Sequence, residues 1–165
     1  MDNILKPETG RLFLIETLPE PLTPASPHIQ IFDNYVADTR VRLRKIRNPY
    51  TKAWTYLVQK KPVGSSRIEE INLDAPEYAA LFHLEGREIR KNRYFHEFEG
   101  CTFTFDVYLG RLWGLATAMA DLPSGAAVPP FAILELTNSP IFDAWTLVEK
   151  TTADLQAAIS ARPPA

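Results

Sequence analysis

The stretch Thr39-Arg-Val-Arg-Leu-Arg-Lys45 alternates cationic and aliphatic side chains. Successive side chains of a β-strand point to opposite faces of the sheet, so a strand here has three arginines on one face and Val41 and Leu43 on the other. Two structures explain the pattern. Either the aliphatic face is buried and the arginines face water, or the arginines line the inside of a barrel whose outside packs against helices. The arginines are Arg40, Arg42 and Arg44.

The composition is that of an ordinary globular domain. The chain has 165 residues, of which 45% are hydrophobic and 23% charged, and its formal net charge is −2. This charge argues against nonspecific nucleic-acid binding, and the lone Cys101 excludes an intramolecular disulfide. No run approaches the roughly 18 apolar residues of a membrane span. We therefore expect one cytoplasmic domain over residues 1–165, without a nucleic-acid or membrane partner.

Turn signals divide the chain into short alternating segments. Proline, glycine and Asn48-Pro49 separate about eight predicted strands, and the segment 131–137 is either a further strand or a linker. One helix is predicted to begin at Ala75 behind the N-cap Asp74 and to end before Gly86. A second helix is predicted over about residues 142–159. The pattern indicates an α+β fold that is mainly β.

The polar faces of these strands carry a large set of charges. If all of them point into a closed barrel, its lumen collects cations that repel one another unless a polyanion or paired carboxylates compensate. Guanidinium groups bind phosphate through two parallel hydrogen bonds, and lysines supply mobile charges. The alternative is a solvated sheet face with surface ion pairs, each worth about 0–1 kcal/mol. The cations are Arg42, Arg44, Lys60, Arg67, Lys91 and Arg93, and the carboxylates are Glu8, Glu69, Asp106 and Asp121.

The order and spacing of the motifs resemble the CYTH superfamily, also called triphosphate tunnel metalloenzymes. The resemblance covers about residues 8–147, and its collinear order favours the barrel over the solvated face. The matching elements, in chain order, are Phe13-Leu14-Ile15, Asp33-Asn-Tyr35, Arg42-Leu-Arg44, Tyr56-Leu-Val-Gln-Lys60, Arg67-Ile-Glu69, Lys91-Asn-Arg93-Tyr94, Asp106-Val-Tyr-Leu-Gly110, Gly114-Leu115 and Glu135-Leu-Thr137.

The resemblance implies an eight-stranded antiparallel β-barrel that forms a tunnel with flanking helices. In this family, basic side chains of the tunnel hold a triphosphate-type substrate, and acidic ones hold Mg²⁺ or Mn²⁺. A triphosphate, a polyphosphate or a nucleotide is the expected partner, and a homodimer is an open alternative to a monomer. By position, the phosphate-binding residues are Arg42, Arg44, Lys60, Arg67, Lys91 and Arg93, and the metal candidates are Glu8, Glu69 and Asp121, with Glu70 as a further candidate beside Glu69.

The sequence departs from the family at its catalytic motifs. The N-terminal E-x-E-x-K reads Glu8-Thr-Gly10-Arg-Leu12, and the late E-x-E reads Met119-Ala-Asp121. The basic segment after the E-V-T motif reads Asn138-Ser-Pro-Ile-Phe-Asp-Ala144, without a basic residue. The losses fall on metal-binding and catalytic positions, so no catalytic residue is assigned. We expect a tunnel that binds a triphosphate- or polyphosphate-containing small molecule, either with weak metal-dependent hydrolysis or as a non-catalytic anion-binding module.

Overall fold

The computed structural model describes residues 10–65 and 67–162. These residues form one antiparallel sheet of nine strands and three α-helices, which loops and turns connect. The strands are β1 (Arg11–Ile15), β2 (His28–Val36), β3 (Val41–Arg47), β4 (Trp54–Lys60), β5 (Glu69–Leu73), β6 (Gly86–Phe98), β7 (Cys101–Leu109), β8 (Ala116–Ala120) and β9 (Ala132–Glu135). The helices are α1 (Ala75–Leu81), α2 (Ala144–Leu147) and α3 (Thr152–Ser160), and short 3₁₀ turns lie at Gly110–Leu112 and Pro140–Phe142.

The strand order confirms the α+β, mainly β fold and corrects its closure. The strands follow one another across the sheet in the order β5-β4-β3-β2-β6-β7-β8-β1-β9. The segment that the sequence left open between strand and linker is the ninth strand, and it pairs with β1 at Phe13↔Glu135. Among the described residues, β5 and β9 are the two edges, so the sheet has nine strands and is not closed; the predicted eight-stranded barrel describes it loosely, and the fold is compatible with a tunnel.

We call the face of the sheet that carries Asp33, Arg42 and Lys91 the inner face. The cross-strand partners of these residues fix it, because directly opposed residues of neighbouring strands share a face. Arg42 lies opposite both Tyr35 and Gln59, and Lys91 lies opposite Tyr108. The other side is the outer face.

The C-terminal segment, residues 138–160, packs on the inner face and closes it. Phe142, Leu147, Val148 and Leu155 are buried there in one cluster with residues of β1 and β9 such as Leu14. The predicted single helix is divided in two. The Thr151 side chain accepts a hydrogen bond from the backbone N–H of Asp154 and begins α3 as its N-cap.

The remaining elements follow the sequence signals closely. Helix α1 begins behind Asp74, whose side chain accepts a hydrogen bond from the backbone N–H of Glu77, as predicted. It ends at Leu81, and Gly86 instead begins β6, where a Cβ would come within 2.3 Å of the Tyr35 carbonyl oxygen. Phenylalanines of β1 and β7 form a second core on the outer face together with Phe131. The helices of the described ranges are all too short to cross a bilayer.

Candidate anion-binding site

Two arginines of the opening stretch, Arg42 and Arg44, lie within strand β3, whereas Arg40 precedes it. Arg42 and Arg44 lie on the inner face and are almost completely buried, whereas Val41 and Leu43 point to the outer face. Arg40 precedes the strand, and its side chain donates a 2.5 Å hydrogen bond to the carbonyl oxygen of Lys61. The charged side chains of this amphipathic strand are therefore buried at both arginine positions within it.

The first cluster of buried charges joins β2, β3 and β4. Arg44 binds Asp33 with two hydrogen bonds, from Nε to Oδ1 at 2.7 Å and from Nη2 to Oδ2 at 2.8 Å. Arg42 donates from Nε to Gln59 Oε1 at 2.8 Å and from Nη1 to the Tyr35 hydroxyl at 2.9 Å. Burial by itself would raise the pKa of Asp33, but the positive charges of Arg44 and Arg42 outweigh it and hold that pKa below its usual range.

The second cluster is centred on Asp106 of β7. Arg93 donates from Nε to Asp106 Oδ1 at 2.7 Å and from Nη2 to Oδ2 at 2.9 Å, and Lys91 Nζ lies 2.9 Å from the same Oδ2. All three side chains are buried. Burial opposes the ionised form of Asp106, but the charges of Arg93 and Lys91 dominate and lower its pKa far below the usual range. In the two clusters, four cations face two carboxylates, so the clusters themselves carry a net positive charge.

A cavity of about 380 Å³ opens beside the second cluster, between the inner face and the C-terminal segment. Lys91, Arg93 and Asp106 line it from the sheet. Lys61 and Asp143 line it from the other side and form an ion pair with each other. The uncharged polar residues of the lining are Tyr108, Thr117, Thr137, Asn138 and Ser139.

The first cluster is not part of this lining. The indole ring of Trp145 lies over Arg42, with 4.5 Å between the ring centroid and the guanidinium carbon, and it packs edge-on against Tyr35. The predicted set of phosphate-binding residues is therefore divided in two. Arg42 and Arg44 lie beneath the C-terminal segment, and Lys91 and Arg93 reach the cavity.

The structure corrects the placement of Lys60. This residue lies on the outer face opposite Val41 and is exposed, whereas Lys61, one residue past the end of β4, lines the cavity. Leu57 and Gln59 are buried on the inner face, so the odd-numbered residues of β4 point inward and the even-numbered ones point outward. The same alternation, continued one residue past the end of the strand, identifies Lys61. Because each face of the strand mixes polar and apolar side chains, its sequence pattern alone does not reveal this phase.

Arg67 and Glu69 also lie away from the cavity. Glu69 is exposed on the outer face opposite Lys60, and Arg67 is exposed before β5 begins. Glu70 is the residue of this segment on the inner face, where its carboxylate accepts a 2.9 Å hydrogen bond from Gln59 Nε2. Alternation accounts for the difference, because β5 contains no bulge that would bring Glu69 and Glu70 to the same face.

The predicted metal ligands do not meet in the described residues. Glu8 lies outside these residues, Glu69 is on the outer face, and Asp121 is exposed just beyond β8 and does not line the cavity. Within residues 10–65 and 67–162, no three His, Cys, Asp or Glu side chains form a group that could hold a metal ion.

Two apolar residues occupy the catalytic positions of the family motifs. Leu12 stands where the resemblance expects the lysine, and Met119 stands where it expects a glutamate. The two residues are direct cross-strand partners between β1 and β8, and both line the cavity. The sequence did not indicate Asp143 as a partner of this site, because its segment differs from the family pattern and its contact with Lys61 joins residues far apart in the chain.

Comparison with solved structures identifies the same fold elsewhere. Two crystal structures of the protein NE1496, one named as an inorganic triphosphatase and the other as a hypothetical protein, are each 22% identical to this chain. They cover 87% of this chain and 98% or 99% of their own, with TM-scores of 0.64 and 0.63. No protein-family model matches the sequence, and no curated protein matches it. The likeness shows that the chain shares the fold of these two structures.

Proposed function

We propose that this chain binds a triphosphate- or polyphosphate-containing small molecule in the cavity between the inner face and the C-terminal segment. The observation that carries the proposal is the convergence of Lys61, Lys91 and Arg93 on one cavity, whose lining also includes Thr117 and Ser139. Ammonium and guanidinium groups form short, strong hydrogen bonds with phosphate oxygens, and hydroxyl groups donate to the same acceptors.

The arrangement favours a polyanion because its cations are held in place before a ligand binds. Asp106 fixes both Arg93 and Lys91, so little side-chain entropy is lost when a phosphate contacts them. The surplus positive charge of the buried clusters acts through a medium that screens it less than water does. The likeness to NE1496, which is named as an inorganic triphosphatase, supports a triphosphate as the class of ligand.

A binding module without efficient hydrolysis is the form of this function that the cavity favours. Leu12 and Met119 can neither donate a proton nor ligate a hard cation, and they occupy the wall where the family carries those groups. Mg²⁺ and Mn²⁺ require oxygen ligands. Both oxygens of Asp106 are bonded to Arg93 and Lys91, so the described residues do not fit either ion. We propose that anion binding is independent of a divalent ion. The homodimer and the cytoplasmic location stay predictions.

Calorimetric titration with tripolyphosphate, pyrophosphate, orthophosphate and ATP tests the binding. Lys61→Met should weaken tripolyphosphate binding by about tenfold or more, because a charge-assisted hydrogen bond is lost. The neighbouring variant Lys60→Met is the matched control and should bind like the wild type, since its side chain is on the outer face. Absence of binding by every anion, or an equal loss in both variants, would refute the proposal.

The same proteins decide whether hydrolysis survives. We expect phosphate release from tripolyphosphate to remain near the rate without protein, with EDTA or with Mg²⁺. A Mg²⁺-dependent rate that Lys61→Met abolishes and Lys60→Met retains would instead establish a triphosphatase and contradict the non-catalytic form of the proposal.

A further inference from the structure

We propose that Asp143 competes with the anion for Lys61. The carboxylate of Asp143 occupies the position at the Lys61 ammonium group that a phosphate oxygen takes when the anion binds. The proposal rests on the proposed function of the cavity and adds a determinant of its affinity. The family carries a basic segment at this point of the sequence, whereas this chain has Asp143 and no basic residue from 138 to 144.

The two carboxylates that line the cavity differ in how firmly they are held. Asp106 is 7% exposed, and both of its oxygens are bonded to two buried cations, so a ligand cannot displace it at low cost. The side chains of Asp143 and Lys61 are 35% and 20% exposed. A pair with this access to water contributes little net stability, which makes its exchange for a phosphate contact feasible.

The backbone around Asp143 stays in place during this exchange. Its neighbour Phe142 and the nearby Leu147 are buried in the core, so moving the segment as a whole would expose both. Asp143 is also the N-cap of α2, because Oδ2 accepts a 3.2 Å hydrogen bond from the backbone N–H of Trp145. The movement that the ligand requires is therefore a rotation of one side chain, after which the carboxylate remains close enough to repel a bound polyanion.

Asp143→Asn tests the competition with little change in shape. Asparagine is as good an N-cap as aspartate, so the start of α2 is preserved while the charge is removed. We expect Asp143→Asn to bind tripolyphosphate about five- to tenfold more tightly than the wild type at equal ionic strength, because no ion pair has to be broken and no like charge remains. Asp143→Ser keeps a capping residue as well and should show the same gain.

Glu149→Gln is the matched control for a general change of charge. It lies in the same C-terminal segment and loses an exposed ion pair with Arg87, in which both side chains are 56% exposed. Its affinity should stay within about twofold of the wild type. In a Lys61→Met background, Asp143→Asn should bring a smaller gain than in the wild type, because no ion pair is left to break and only the repulsion between the carboxylate and the polyanion is relieved.

The outcomes separate this inference from the proposed function. If the wild type binds tripolyphosphate and Asp143→Asn binds it equally or more weakly, Asp143 is not a competitor and the proposed function stands. A loss of binding in Asp143→Asn that appears only with Mg²⁺ would identify a metal ligand and also overturn the inference. If neither protein binds a polyanion, the proposed function itself fails.

Discussion

Asp106 is the carboxylate that pairs with both buried cations of the cavity lining. It contacts both Arg93 and Lys91, at distances of 2.7 to 2.9 Å. A buried ion pair is weak evidence for stability as a whole, but removal of one partner leaves an uncompensated charge and is strongly destabilising. The Asp33 cluster with Arg44 follows the same rule.

We predict that Asp106→Asn lowers the free energy of unfolding by about 3–5 kcal/mol, because two buried cations lose their shared carboxylate. Urea denaturation at pH 7 measures the change. Glu149→Gln, which removes an exposed pair, should cost less than about 1 kcal/mol. Similar losses in the two variants would contradict the structural role of Asp106.

The sequence identifies the buried cations of the inner face better than it identifies the cavity. Alternation within β3 correctly predicts that Arg42 and Arg44 share a face, because the period of a strand is fixed by its backbone. It does not give the phase of β4, where each face mixes polar and apolar side chains, so the sequence indicates Lys60 although Lys61 lines the cavity. Asp143 depends on a contact between residues 82 positions apart, which no local pattern encodes.

At the scale of elements, the entry into β1 decides whether the family motif could be restored. Gly10 stands where the resemblance expects the second glutamate, and it has a φ of +131°. A Cβ built on it would lie 2.6 Å from the carbonyl oxygen of Ala120 on β8. A side chain at this position therefore conflicts with the pairing of β1 and β8, and the lost glutamate cannot be restored without moving the backbone.

We predict that Gly10→Ala lowers the free energy of unfolding by about 2–3 kcal/mol, from the unfavourable φ and the close contact together. Gly100→Ala is the control. Its φ is +77° but nothing lies within 4 Å of the added Cβ, so only the conformational cost of about 1–2 kcal/mol applies. Urea denaturation of both variants tests the difference, and a smaller loss for Gly10→Ala would contradict the close contact.

The C-terminal elements show a limit of sequence patterns at the same scale. The residues from 142 to 159 are compatible with one helix, but the cap formed by Thr151 and Asp154 begins a new one. Helix α2 has only four residues, and its position is set by the burial of Leu147 rather than by helix propensity. Tertiary packing outweighs local preference in such short elements.

At the scale of the whole molecule, the open sheet gains its enclosed site from the C-terminal segment. Strand closure would pair β5 with β9, and in the described residues these strands are the two edges of the sheet. The sequence predicts most strands and the turns between them, because these signals are local. It does not predict closure, which depends on the sum of tilt and stagger over all strands. The site is therefore a cavity with one wall of helix and loop rather than a tunnel lined only by strands.

The buried carboxylates make the stability of the whole molecule depend on acid pH. The pKa values of Asp33 and Asp106 are lowered in the folded protein, mainly because nearby arginines and Lys91 outweigh the effect of burial. The unfolded chain binds protons near the ordinary aspartate pKa of about 3.9. The contribution of both residues is therefore fully present above this value and is lost progressively as the pH falls below it.

We predict that the free energy of unfolding falls below about pH 4, with a slope that approaches 1.4 kcal/mol per pH unit for each of the two carboxylates. Urea denaturation from pH 7 to pH 2.5 measures this slope. Asp106→Asn, which has one such carboxylate fewer, should lose stability less steeply in this range, while Glu149→Gln should follow the wild type. A wild-type stability that stays constant down to pH 3, or an Asp106→Asn curve parallel to that of the wild type, would show that these ion pairs do not hold the two carboxylates ionised in the folded state.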